Sequence, residues 1–279
     1  MSRTVKSVYP AVSDDIGDLR TQRPLPNRYV EQIDPFLFLN HHGPQVYPPD
    51  NRGLPFGPHP HRGFETVTFI AEGSLLHRDT GGHESVIEGG GIQWMTAGRG
   101  LEHAELSPEE FLRNGGPLEL LQLWVNLPSR LKMTEPRYVG LQKEDIPVVA
   151  EDGVKVNVIS GTFGGTRGPV ESLTDVHMST IEMAAGSRVT LPVPSGRNIF
   201  FYVVRGEVQV GGENVRELNL VDFHDDGAAV EAEAVSPSLL LFGHATPYNE
   251  PVVAHGPFVM NTRAEILQAI RDYQAGSFG

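Results

Sequence analysis

Residues 57–65 read Gly-Pro-His-Pro-His-Arg-Gly-Phe-Glu and place His59 and His61 two apart. On an extended segment, side chains two apart point to the same side, so these two imidazoles converge from one strand face. A later stretch, Trp94-Met-Thr-Ala-Gly-Arg-Gly-Leu-Glu-His-Ala-Glu, gives His103 and Glu105 the same spacing. Set opposite one another, the two pairs supply three neutral nitrogens and one carboxylate oxygen. That donor set takes a divalent first-row metal. Imidazole suits iron, nickel, copper and zinc, and one carboxylate adds a hard ligand and offsets one charge. On an octahedral ion, four protein ligands leave two positions open for a substrate oxygen and for dioxygen or water. On tetrahedral zinc the same four close the site and make it structural. The identity of the metal therefore separates an enzyme from a staple.

The elements that must hold these residues are strands. The chain has 279 residues, which at about 150 residues per domain suggests two domains. Its 39% hydrophobic content, with 31 glycines added, is ordinary for a globular protein and excludes bulk disorder. The 31 Gly and 22 Pro make the chain turn often, which favours many short strands over long helices. Strand-like runs recur at Thr66–Ile70, Ser85–Glu88, Ile92–Met95 and Leu118–Leu127. They resume at Val154–Ile159, where Val154, Val156 and Val158 share a face, and continue at Val176–Met183, Arg188–Val193, Ile199–Val204, Glu207–Val210 and Leu239–Phe242. Pro128 to Asp152 reads as a crossover, giving domains at residues 1–130 and 131–279. One helix is expected near the C-terminus. Thr262 and Glu265 fit a capping box, Ile266, Leu267, Ile270 and Tyr273 form an apolar stripe, and Gly276 can end it.

Composition narrows the partners. The net charge of −13 gives no general attraction to nucleic acid or to an anionic membrane. There is no cysteine, which excludes disulfides, thiol nucleophiles and cysteine-bound metals, so any metal must use His and carboxylate. No apolar run reaches bilayer length and the first residues lack a signal-peptide pattern, so a cytoplasmic protein is expected. The other histidines carry less signal. His77, His83, His177, His224, His244 and His255 read as structural or exposed, and His41-His42, preceding a glycine, as a turn. Gly161–Gly168 lacks the Gly-Lys-Ser/Thr ending of a phosphate loop and reads as a β-turn loop. Trp94 and Trp124 read as core.

The spacing Gly53-x5-His59-x-His61-x3-Glu65 resembles the first cupin motif, and the glycine-rich stretch ending at His103 resembles the second. The wording His-Pro-His-Arg-Gly-Phe-Glu-Thr-Val-Thr, followed by Gln93-Trp-Met-Thr-Ala-Gly-Arg-Gly, is similar to the pirin family. The likeness runs from Pro35-Phe-Leu to Gly256-Pro-Phe-Val-Met-Asn261. It implies an all-β bicupin: two cupin-type antiparallel β-sandwich or barrel domains with a short C-terminal helix. It implies one mononuclear metal in the N-terminal half, iron(II) being favoured, with zinc, nickel, manganese, cobalt and copper as alternatives. The ligands it implies are His59, His61, His103 and Glu105. Ordinary cupins use the first-motif carboxylate, here Glu65, whose parity matches His59 and His61, so Glu65 remains open as a replacement or support for Glu105.

Aligning Gly73 with Gly206 puts Pro192 and Pro194 where His59 and His61 stand, and no His-x-Glu follows in Leu218–Glu233, so the C-terminal domain is expected to be metal-free. The resemblance also implies quercetin 2,3-dioxygenase activity on a flavonol or similar aromatic enol with dioxygen, Glu105 accepting the hydroxyl proton. The alternative it offers is a metal-dependent regulator that binds a transcription factor or metabolic enzyme. A monomer is expected.

Overall fold

A computed structural model of the chain describes residues 1–278 and consists of antiparallel strands with two α-helices, Glu109–Asn114 and Arg263–Gln274, among the described residues. None of its helices is long and apolar enough to cross a membrane. The all-β expectation holds.

Two compact units form, and neither is contiguous in sequence. One contains Met1–Val12, Pro24–Phe36 and Asp145–Pro247; the other contains Ser13–Arg23, Leu37–Glu144 and the chain from Tyr248 onward. These units differ from the expected halves, 1–130 and 131–279, because the termini are exchanged. Strand Val5–Pro10 pairs with Asn219–Phe223. The C-terminal segment returns to the other unit, where Val259 N donates to the Arg62 carbonyl at 3.0 Å. Periodicity identifies a strand but not its distant partner. The expected crossover is also more ordered than its composition suggests, since Arg137–Leu141 pairs with Ile92–Thr96.

In the unit that carries His59, a seven-stranded sheet has Phe64–Glu72 between Ile92–Thr96 and Gly116–Asn126. Phe64–Glu72 is aromatic and β-branched and is buried from Phe64 through Ile70, as befits a central strand covered on both faces. A four-stranded sheet runs in the order Phe56–His61, Leu101–Leu106, Ser74–Asp79, Glu84–Glu88. The second unit repeats the plan with a seven-stranded and a four-stranded sheet, the latter ordered Arg188–Pro192, Ala229–Ala234, Glu207–Val210, Glu213–Arg216.

The corner joining the two sheets is built the same way in both units. Gly73 has φ +85°, and a Cβ there would lie 2.6 Å from the Pro117 carbonyl oxygen. Gly206 has φ +86°, and a Cβ would lie 2.4 Å from the Pro237 carbonyl oxygen. Only glycine fits either corner, which supports the alignment of the two halves.

Val154, Val156 and Val158 share one buried face with Ile181, Leu191, Phe201, Leu240 and Phe242. Phe201 is fully buried there. Its replacement by Ala is expected to cost about 3–5 kcal/mol through lost burial and the cavity left behind, read as a lower denaturant midpoint.

The capping box is present: Glu265 N donates to Thr262 Oγ1 (3.3 Å) and Thr262 N donates to Glu265 Oε2 (2.8 Å). The helix buries Ile266 and Ala269, while Leu267 and Tyr273 of the expected stripe stay exposed. Gly161–Gly168, read as a β-turn loop, is a short hairpin in which Thr162–Phe163 pairs with Thr166–Arg167. His41 and His42 are not a turn. Both are buried within strand Phe36–Tyr47, His41 Nε2 lying 2.9 Å from Glu119 Oε1 and His42 Nδ1 2.8 Å from Thr21 Oγ1. Polar partners distant in sequence satisfy these imidazoles, which no local pattern announces.

Candidate metal centre

The Phe56–His61 and Leu101–Leu106 strands run antiparallel, with His61 opposite Leu101 and His59 opposite His103. On its other side Leu101–Leu106 meets Ser74–Asp79, with His103 opposite Asp79 and Glu105 opposite His77. The three imidazoles therefore converge as their spacing predicts. Ring centroids are 4.8 Å apart for His59–His61, 4.4 Å for His59–His103 and 5.0 Å for His61–His103. One ligand nitrogen from each lies within 4.8 Å of the others.

Backbone carbonyls orient two of the rings. His59 Nδ1 lies 2.8 Å from the Gly57 carbonyl, and His61 Nδ1 lies 3.2 Å from the Pro257 carbonyl. A carbonyl only accepts, so both Nδ1 atoms carry the proton and both Nε2 atoms hold lone pairs. His59 Nε2 and His103 Nε2 lie 3.0 Å apart, and His61 Nε2 is buried with no partner. A buried lone pair without a donor is costly unless a cation shares it. Burial, then the neighbouring His59, pushes His61 down to about 3, and burial followed by His61, His59 and His77 holds His103 well below the usual histidine range. His61 and His103 thereby stay neutral, the state a metal requires. The donor chemistry thus fits a divalent ion.

Glu105 is buried beside the cluster but is not one of its three gathered residues. Its carboxylate is tied to the facing sheet, Oε1 accepting from Thr68 Oγ1 (2.9 Å) and Oε2 from Gln122 Nε2. Glu65 is placed differently. A corner at Arg62-Gly63, with φ +88° at Gly63, separates the His61 strand from the Glu65 strand, so the shared parity read from sequence does not carry across. On its own strand Glu65 alternates with Thr66 and Thr68 and points away from Glu105. Its Oε1 accepts from Thr96 Oγ1 at 2.6 Å, and burial raises its pKa.

His77 is a structural histidine, as one of its two expected readings has it. It is buried, its Nε2 lies 2.9 Å from Asp79 Oδ2, and its ring stacks on Tyr138 at 4.0 Å and 10° and lies 5.4 Å from His103. Burial is the chief cause that pushes Tyr138 up to about 12. Trp94 is core as expected, whereas Trp124 is half-buried beside His61, 5.4 Å between rings, and stacks on Phe38 at 4.5 Å.

The family model described as Pirin matches residues 18–125, and that described as Pirin C-terminal cupin domain matches residues 178–279. The chain belongs to the pirin family. A Caulobacter vibrioides pirin-like protein is 41% identical over 277 residues, covering 98% of each chain. A Pseudomonas aeruginosa relative, by its name a candidate quercetin 2,3-dioxygenase, is 40% identical over 254 residues, covering 90% of this chain and 89% of its own. The crystal structure of quercetin 2,3-dioxygenase from Acinetobacter baumannii superposes with a TM-score of 0.93 at 34% identity, covering 100% of this chain and 99% of that one. The pirin match accounts for the two cupin-type domains in one chain, and the expectation of a bicupin holds.

Proposed function

We propose that this pirin-family chain is a metal-dependent oxygenase of the quercetin 2,3-dioxygenase type, acting on a flavonol or a similar aromatic enol. The observation that carries the reading is the three-histidine cluster, half-buried at His59 and buried at His61 and His103, with its unpartnered His61 Nε2. In this reading His59, His61, His103 and Glu105 hold one divalent ion, iron(II) favoured. The bound ion would supply Lewis-acid activation of the substrate's hydroxyl and a meeting point for the substrate and dioxygen. Glu105 is assigned as the proton acceptor, since its carboxylate is the one basic group of the set not required as a nitrogen donor. Thr68 and Gln122 orient that carboxylate, and Trp124 with Phe38 offers an aromatic wall beside His61. The second unit is read as metal-free: Pro192 ends the strand equivalent to that of His59 and His61, and Ala229–Ala234, equivalent to the His103 strand, carries no histidine. The names of the Pseudomonas and Acinetobacter proteins support the substrate class. The reading carries with it the expectation of a cytoplasmic monomer.

The test is oxygen uptake with quercetin by protein stripped of metal and reloaded anaerobically with Fe(II). Uptake that requires the metal is the expected result. Iron bound in full with no uptake would overturn the enzyme reading in favour of a metal-dependent regulator of a protein partner.

A further inference from the structure

Lys132 is a buried cation next to the histidine cluster, only 1% exposed. Its ammonium donates to the Gly63 carbonyl (2.9 Å), to Asn126 Oδ1 (2.7 Å) and to the Val259 carbonyl (3.0 Å). Three donors thus meet three acceptors, as a buried ammonium requires. Two of those acceptors belong to segments that flank His61. Gly63 forms the corner immediately after the His59–His61 strand. Val259 lies in the C-terminal hairpin, two residues beyond Pro257, whose carbonyl accepts from His61 Nδ1.

The corner and the hairpin are fastened at further points. Val259 N donates to the Arg62 carbonyl at 3.0 Å. A Cβ on Gly63 would lie 2.0 Å from the Val259 carbonyl oxygen, so the two backbones touch. Arg62 Nη1 donates to Asp272 Oδ2 (2.6 Å), and its guanidinium lies 4.6 Å from the Phe278 ring centroid. Phe278 shares a small core with Phe258, Met260 and Ile266, which ties helix Arg263–Gln274 to the same hairpin.

We infer that the C-terminal hairpin and helix are a working part of the histidine site: Lys132, Arg62 and Asp272 are positioning residues that hold the Pro257 carbonyl against His61 and so set the tautomer and the metal affinity of that ligand. The inference rests on the metal reading above. A histidine that donates its other nitrogen to a fixed carbonyl presents its lone pair in one direction, and loss of such outer contacts lowers metal affinity about 10–100-fold. Residues matched as the C-terminal cupin domain would then serve the N-terminal site, which explains why the chain end packs with the unit that carries His59.

The experiment uses the full chain with 15N-labelled histidine. Long-range proton–nitrogen spectra of the metal-free protein report the His61 tautomer, and competition with a chelator reports Co(II) affinity. Lys132→Met and Asp272→Ala are compared with the unaltered chain and with Phe201→Ala, which is destabilised without touching the hairpin. The expected result is a single Nδ1–H tautomer for His61 in the unaltered chain and in Phe201→Ala. Both hairpin variants should show a mixed tautomer and an about 10-fold or greater loss of Co(II) affinity. If Lys132→Met does not fold, Asp272→Ala decides, since that carboxylate is partly exposed. A folded hairpin variant with the tautomer and affinity of the unaltered chain overturns the inference. Failure of the unaltered chain to bind Co(II) overturns the metal reading instead, and the tautomer comparison still decides whether the hairpin positions His61.

Discussion

Metal-free protein is expected to lose several kcal/mol of stability between neutral pH and pH 5, a large part of the stability of an ordinary domain. Buried histidines are responsible, His103 among them. Burial is the leading cause in each case, pushing His42 and His61 down to about 3, His177 to about 4 and His244 to about 2. In the unfolded chain these groups titrate near 6.5. Between the folded and unfolded values the unfolded state binds more protons, so stability is fully present above about pH 6.5 and falls as the pH drops. At pH 5 each group contributes a loss of about 2 kcal/mol. The packing explains why the folded state resists protonation. His177 and His244 stack 4.6 Å apart and 2° from parallel, and Arg197 Nε donates to His244 Nδ1 at 2.7 Å, so a proton would place cations in contact. Urea midpoints measured at pH 7, 6 and 5 check the expectation. A midpoint unchanged from pH 7 to pH 5 would contradict it.

His61→Ala is expected to abolish stoichiometric metal binding with only a modest loss of stability in the metal-free fold. Structural zinc in small peptides binds with about 10–16 kcal/mol, and on that scale loss of one of the ligands proposed above removes roughly a quarter, a fall of about 100-fold in affinity. Stability should fall only modestly, because loss of the Nδ1 contact to Pro257 and of buried volume is partly offset by removal of a buried nitrogen that has no partner. A structural histidine behaves in the opposite way: its removal costs stability and changes no affinity. Elemental analysis after Fe(II) loading, alongside a urea titration of the metal-free variant, separates the two. Full metal occupancy in His61→Ala would remove His61 from the ligand set.

Much of the site was legible because strand geometry is local. Side chains two apart on an extended segment share a face whatever the rest of the chain does, so His59 and His61 could be paired from spacing alone, whereas Glu105 is not gathered with His103 and its neighbours. The same reasoning failed for Glu65, where a left-handed glycine at position 63 ends one strand and begins another, resetting the parity that spacing assumes. It failed for His41 and His42 because Glu119 and Thr21, which satisfy them, lie far off in sequence. Nothing local showed that Tyr138 would cover His77.

The sequence by itself determined the strand periodicity, the helix cap at Thr262 and the placing of His59 and His61 on one strand face, because each depends on neighbours within a few residues. Tertiary structure alone decided which unit each terminal segment joins, that His103 meets His59 and His61, and which nitrogen of His61 carries its proton. The last is set by a carbonyl 196 residues away. Backbone hydrogen bonds and buried cations such as Lys132 act through space, and their partners are chosen only when the sheets close.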